Sequence, residues 1–430
     1  VYKRQVLGGA NEERDLPPDA VDMEAIDPAA VELPGWFEPN PGCARDLALI
    51  MLTAGRGRNP RAAKITNQRW AFSAYGTAAA CTLSPRDTVY CCLPLHHPAG
   101  MLVTVGGSLV GGSRLALATT FDPETFWDDV HRYGATVVFY AGEMLRALLA
   151  APPSVTDNKN PIRLFAGSGL RRTVWRRIVD RFGPVGVLEF YASTEGNAVL
   201  ANASGEKVGA LGRPLPGSAE VELVRYEFDR GEFPRDDRGL LLRVEDDGEG
   251  ILLARLDAEH PLASFTGGDE AGSRLIRGVL EPDDTWFITW DVLRRDSEGD
   301  FWFVDRASRM LATQDGRVAT RAIENALDEF LALRQAVVFG TESGVVAVVV
   351  TEDDRPLDLE AWNDLVSGIA PSLLPHWVRR VAEIPMTDGF RPDKAALEAQ
   401  PIEAGIELLQ RDADTGNYLL VSTDGDPAPA

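Results

Sequence analysis

Two stretches of this 430-residue chain carry side chains suited to a nucleoside phosphate. The first is residues 52–61, where Thr53, Gly55, Arg56, Gly57, Arg58 and Arg61 follow an apolar run and lead towards a helix-forming one. Glycines let backbone N–H groups close on an anion, and guanidinium forks match phosphate oxygens, so a polyphosphate suits this loop. A Gly/Arg-rich surface turn has the same composition, so context must decide. The second stretch is residues 190–197, at the end of an apolar strand-like run. There Tyr191 can stack on a base, Thr194 can hydrogen-bond a phosphate and Glu195 can hold Mg2+ through oxygen. The competing reading is a strand end with a solvated carboxylate. Glu189 and Glu195 also form a carboxylate pair of the kind used in glycoside cleavage, but nothing else in the chain supports that chemistry. His96 and His97 are adjacent after another apolar run, so their rings point different ways: one can face a pocket, and a two-His metal site is disfavoured. No Ser or Cys stands in a nucleophile elbow beside them, which argues against triad hydrolysis.

The elements that must hold these groups follow from the apolar pattern. Short apolar runs at 47–53, 88–93, 114–118, 136–140, 163–166 and 187–191 read as strands, and amphipathic segments at 67–83, 123–133, 142–150 and 170–182 read as helices. Their alternation predicts an α/β fold with a mostly parallel sheet and helices on its faces. From about 217 to 305 the pattern becomes short strands at 220–225, 239–244 and 251–255 between Asp, Gly and Glu clusters, predicting a small antiparallel β subdomain. Beyond it a helix at 319–330, strands at 336–340 and 345–351, a helix at 357–370 and a strand at 379–383 predict a small α+β C-terminal domain. The expected divisions are a scar and linker at 1–45, an α/β portion at 46–216, the β subdomain at 217–305, the C-terminal domain at 306–405 and a tail at 406–430. Val1–Gln5 resembles translated adaptor sequence, so the α/β portion is expected to be truncated at its start.

Composition narrows the partners. Forty-three Lys and Arg against 65 Asp and Glu give a net charge of −22, which argues against nucleic acid as a partner. Four cysteines without metal-site or disulfide spacing suit a reducing cytosol, and no apolar run is long enough to span a bilayer. A cytoplasmic location is expected, with peripheral membrane contact left open.

Taken in order, the motifs resemble the adenylate-forming superfamily, and within it the fatty-acid transport protein and very-long-chain acyl-CoA synthetase family. The resemblance rests on Asp87-Thr88-Val89-Tyr90 running into Leu93-Pro94-Leu95-His96-His97, on Tyr140-Ala141-Gly142-Glu143 and on Gly167-Ser168-Gly169-Leu170-Arg171. It continues through Glu189-Phe190-Tyr191-Ala192-Ser193-Thr194-Glu195-Gly196-Asn197, Asp291-Val292-Leu293-Arg294, Phe303-Val304-Asp305-Arg306 and Thr387-Asp388-Gly389-Phe390. It spans roughly residues 45 to 425. It implies an AMP-binding ligase that joins a long-chain fatty acid to CoA through acyl-AMP, with ATP, Mg2+ and CoA taking part. By the same resemblance Gly167, Ser168, Gly169 and Tyr191 flank adenine, Thr194 contacts phosphate and Glu195 binds Mg2+. Asp291 takes the ribose hydroxyls with Arg306 beside it, His97 borders the acyl group, and Thr53, Gly55, Arg56 and Arg61 belong to the phosphate loop.

Departures from the family pattern carry equal weight. The usual loop Thr-Ser-Gly-Thr-Thr-Gly-x-Pro-Lys keeps only Thr53, Gly55 and Pro60, with Ala54, Arg56, Gly57, Arg58 and Arg61 at the other named positions. Arg391 stands where the family's C-terminal domain presents a catalytic Lys, and Arg is longer, planar and forked where Lys is a point charge. Lys394 is the next cation along. The hinge Asp and the Gly before Glu are missing from the segment 308–317, and Trp290 replaces the Gly before Asp291. Two functions therefore stand: an impaired fatty acyl-CoA synthetase-like ligase, or a catalytically degenerate paralogue acting as a nucleotide- or acyl-binding scaffold.

Overall fold

The computed structural model describes residues 6–7, 21–22, 27, 30, 32, 34–36, 42–53, 61–192, 198–260, 265–266, 274–313, 316–387 and 389–423. The chain divides into two units, Val1–Ala44 and Arg45–Ala430. In the first, Val6–Leu7 pairs in parallel with Val21–Asp22.

The second unit is built on a seven-stranded sheet in the order Arg213–Pro214, Val199–Asn202, Gly186–Ala192, Leu164–Ser168, Val137–Ala141, Thr88–Cys91, Arg114–Leu117. The last five run parallel and the first two pair antiparallel, so the expected mostly parallel α/β sheet is what forms. Parallel strands buried on both faces need continuous apolar runs, and Val137, Val138, Phe139 and Tyr140 are all buried. The covering helices bury narrow stripes. In Arg172–Phe182 these are Val174, Trp175, Ile178 and Phe182, spaced to face one side, while the arginines between them face outward or bond loop carbonyls. Phe126–Tyr133 buries Phe126 and Val130 and stops at Gly134, whose φ of 61° closes the turn.

Beside this sheet lies an antiparallel one formed by Val221–Val224, Glu249–Arg255, Thr285–Arg295 and Leu275–Arg277, with Phe301–Arg306 also pairing Thr285–Arg295. The strand expected at 239–244 is absent. Only isolated bridges of Leu241 and Arg243 remain, because the turn closed by Asp236 and Gly239 bends this segment away from continuous pairing. A third, antiparallel sheet joins Leu47–Thr53, Arg61–Thr66 and Phe265–Thr266.

A 3-10 turn at Ala307–Arg309 and the hairpin Met310–Thr313 with Gly316–Ala319 lead into a smaller C-terminal part. Its sheet runs Leu333–Thr341, Gly344–Thr351, Trp377–Arg380, Glu407–Arg411, Tyr418–Thr423. The stretch 406–430, expected as a tail, therefore supplies two strands. Leu408, Leu409 and Tyr418 are buried in the C-terminal part, which holds them more firmly than their Asp- and Gly-rich neighbours suggest. Thr320–Asp328 packs on this sheet, its first turn capped by buried Asp305, which accepts from Thr320 Oγ1 at 2.8 Å and from the Arg321 N–H at 3.0 Å. No helix among the described residues is long and apolar enough to cross a membrane.

Candidate functional site

Those of the singled-out groups that lie among the described residues cluster near the carboxyl ends of the parallel strands, where open α/β sheets hold ligands. Leu164–Ser168 ends on Ser168 and continues into Gly169, whose φ of 91° turns the chain sharply. Register places Gly167 between Tyr140 on one neighbouring strand and Glu189 on the other. A methyl group on Gly167 would lie 2.2 Å from the Tyr140 carbonyl oxygen, so only glycine fits without moving the ladder. Gly167→Ala is expected to destabilise the protein by about 1–3 kcal/mol, the usual range for overpacking, read as a lower urea midpoint with an unchanged slope.

Glu189 braces this turn. Its carboxylate is 3% exposed and accepts from Tyr140 Oη at 2.6 Å, from the Leu170 N–H at 3.2 Å and from the Gly169 N–H. Burial pushes the carboxyl up to about 7, against the opposing pull of these bonds and of the Arg321 charge. Sequence reading considered Glu189 only as half of a carboxylate pair. The available signal was its parity with Tyr191, since residues two apart on a strand share a face.

Tyr191 Oη donates to Asp291 Oδ2 at 2.6 Å, linking the central sheet to the antiparallel one across 100 residues of chain. Asp291 faces Arg306 directly across the ladder, with Arg306 Nε 3.9 Å from Asp291 Oδ1. Burial raises the Asp291 pKa, while the Tyr191 bond and the charges of Arg306 and Arg391 resist that shift. The residue before it, Trp290, has φ of 60°, a left-handed value that is costly for any side chain. Its indole is held edge-on to Tyr226, with centroids 5.5 Å apart, and tilted against Phe233 at 5.8 Å. The bulk introduced in place of glycine is thus absorbed by an aromatic cluster.

Arg391 arrives from the C-terminal part. The turn 387–391 is closed by the Thr387 N–H donating to the Arg391 carbonyl at 2.8 Å, and Phe390 meets Phe121 of the central-sheet core edge-on at 5.9 Å. The Arg391 guanidinium then lies 3.5 Å from Ser168 Oγ. Its pKa is lowered by loss of water and by the like charge of Arg306, with Glu189 and Asp291 pulling the other way. His97 accepts the Ala99 N–H at Nδ1, 3.1 Å away, and its pKa is lowered by burial and then by Arg391 and His96. Ser168, Tyr191, Asp291, Arg306, Arg391 and His97 therefore form one neighbourhood.

Lys394 takes no part in it. Its ammonium donates to the Val338 carbonyl at 2.8 Å and to Thr320 Oγ1 at 3.1 Å, and pairs with Glu324 at 2.8 Å. Arg391 is accordingly the cation this turn brings to the cluster.

Gly55, Arg56, Thr194 and Glu195 lie outside the described residues, as do the side chains of Thr53 and Arg61. Thr53 and Arg61 are seen only as paired backbone, opposite each other across the hairpin. The donor expected for Mg2+, Glu195, is thus outside the description, and no group of three or more His, Cys, Asp or Glu among the described residues is arranged to hold a metal. The described residues alone do not make a fitting metal site.

The chain is 32% identical over 374 residues to a medium/long-chain-fatty-acid–CoA ligase of Mycobacterium tuberculosis, covering 85% of this chain and 62% of the relative. It is 33% identical to human long-chain fatty acid transport protein 5, covering 84% and 54% respectively. The chain spans about three fifths of the length of the curated relatives it matches. Among solved structures, ATP-bound MatB from Rhodopseudomonas palustris superposes with a TM-score of 0.71 at 22% identity, covering 84% of this chain and 69% of that one, a likeness of fold. Residues 7–242 match the family described as AMP-binding enzyme, more than half of the chain, and the chain belongs to that family.

Proposed function

We propose that the protein is a fatty acyl-CoA synthetase-like ligase that activates a long-chain fatty acid through acyl-AMP and passes the acyl group to CoA. In the first step a carboxylate oxygen of the fatty acid bonds to the α-phosphorus of ATP and the bond to the β-phosphate oxygen breaks, releasing pyrophosphate. In the second the CoA thiol attacks the acyl carbonyl and AMP leaves. Neither step needs a protein nucleophile; both need positioning and charge stabilisation. Tyr191 and the turn 167–169 flank adenine, Asp291 accepts from the ribose hydroxyls, and His97 borders the acyl carboxylate. Arg391 meets the charge that builds on the α-phosphate. Thr194 and Glu195 are assigned to the phosphate side by resemblance, where Glu195 would hold a Mg2+ able to neutralise phosphate charge, with Thr53, Gly55, Arg56 and Arg61 on the phosphates.

The observation that carries this reading is the approach of Arg391 to Ser168 from a different part of the chain, beside the Tyr191–Asp291–Arg306 cluster. The test is pyrophosphate release from Mg·ATP by the full chain with short-, medium- and long-chain acids. Release that requires the acid supports the ligase. Silence from folded protein across all acids overturns it and leaves the nucleotide- or acyl-binding scaffold. Arg391→Lys, which restores a point cation, is expected to raise the release rate several-fold in a working ligase. An unchanged or lower rate would mean that the forked guanidinium itself is used.

A further inference from the structure

Between the central sheet and the C-terminal part lies a lattice of charges that the proposed chemistry does not use. Arg171 follows the Gly167–Leu170 turn directly, and its Nη2 donates to Glu324 Oε2 at 2.5 Å and its Nη1 to Asn325 Oδ1 at 3.1 Å. Arg146 donates from Nε to Glu143 at 2.8 Å, from Nη1 to the Arg334 carbonyl at 2.9 Å and from Nη2 to Asp328 at 3.2 Å. Gln335 donates to Glu143 at 3.0 Å. The centre of the lattice is Glu324, only 3% exposed, which holds Arg171 with one oxygen and Lys394 with the other. Glu324 Oε1, the oxygen that meets Lys394, also accepts the Val338 N–H at 2.8 Å. These partners hold the Glu324 carboxyl down at about 2 despite its burial.

The connection runs to the site at both ends. Arg171 adjoins the turn that Glu189 braces, and Lys394 opens the helix Lys394–Glu398, three residues after Arg391. The intervening chain is short and tied: Asp393 caps that helix through the Ala396 N–H at 3.0 Å, and Met386 bridges Pro392. Fixing Lys394 therefore fixes where the 387–391 turn can reach.

We infer that Glu324 is a positioning residue: by bridging Arg171 and Lys394 it sets the reach of the Arg391 turn to Ser168, and it acts through Arg391 without touching the reacting atoms. The inference deepens the ligase reading and, for its kinetic consequence, rests on it.

Glu324→Gln keeps the shape and the acceptor for Val338 while removing the charge that both cations share. Two readouts separate the possibilities: backbone hydrogen exchange across residues 386–398, and acid-dependent pyrophosphate release. In Glu324→Gln, exchange in 386–398 is expected to rise about tenfold or more while Leu333–Thr341 and Gly344–Thr351 stay protected. The turnover number is expected to fall at least tenfold, with KM for ATP within about twofold, and Glu324→Asp to recover part of the loss. Unchanged exchange at 386–398, or a uniform rise over the whole C-terminal sheet, overturns the inference. Should Glu324→Gln not fold, Lys394→Met removes the other end of the bridge and is held to the same two readouts. A parent protein that releases no pyrophosphate, yet shows the localised exchange change, loses the ligase reading and keeps the positioning role.

Discussion

In the proposed ligase, Arg391→Ala is expected to lower acid-dependent pyrophosphate release by about 10²–10³-fold, the range lost when one preorganised charge-stabilising donor is removed from a site. The expectation rests on how few cations reach the cluster. Arg306 is already opposite Asp291, 3.9 Å away, and Lys394 is committed to Glu324, Thr320 and Val338. Arg321 and Arg274 also act on Glu189 and Asp291, but Arg391 is the cation seen in contact with Ser168. The loss should fall mainly on the turnover number, because the Tyr191–Asp291 bond and the bond by which Glu189 braces the 167–170 turn, proposed to hold adenosine, do not run through Arg391. Steady-state kinetics with varied ATP checks it: a change below about threefold, or one confined to KM, would remove Arg391 from the reaction.

The second large effect is on stability against pH. Glu189 binds its proton more tightly folded than unfolded, with a pKa of about 7 against an ordinary value of 4.5. Between those values the native state holds more protons than the unfolded one, so stability falls as pH rises through the window. At about 1.4 kcal/mol per unit the swing is roughly 3 kcal/mol, fully in hand below pH 4.5 and spent above 7. Glu324 works in the opposite sense. Its pKa of about 2 gives stability that is present above 4.5 and lost as pH falls towards 2. Urea titrations across pH 4.5 to 8 should therefore show a declining limb that disappears in Glu189→Gln and survives in Glu324→Gln. A Glu189→Gln profile parallel to that of the parent would mean that Glu189 titrates normally.

What the sequence made legible was whatever is local. The strands at 47–53, 88–91, 137–141, 164–168 and 186–192, and the helix at 142–150, lie where apolar period and turn residues put them, within a residue or two at most ends. The two strands after 405 were not legible, because Leu408-Leu409 and Leu419-Leu420-Val421 are too short to show a period and gain their pairing from a sheet begun some 70 residues earlier. The same reason hid the lattice between the two parts. Arg171 and Glu324 are 153 residues apart, and each alone reads as an ordinary charge on an amphipathic helix or its edge. Glu189 was hidden differently: burial, which makes it unusual, is a property of the packed sheet and not of its flanking residues.

Arg306 occupies a double position. It faces Asp291 across the ladder, and it is the last strand residue before the turn Ala307–Arg309 from which the rest of the chain continues. A ligand that engages Asp291 therefore alters the partner of the residue at which the C-terminal part begins. By reciprocity, any reorientation of that part that shifts Arg306 must change affinity at Asp291 by the factor with which the ligand biases the orientation. At 3.9 Å, with the Arg306 side chain 66% exposed, this pair sets a small coupling, of the order of an exposed ion pair, between anything that engages Asp291 and the start of the C-terminal part.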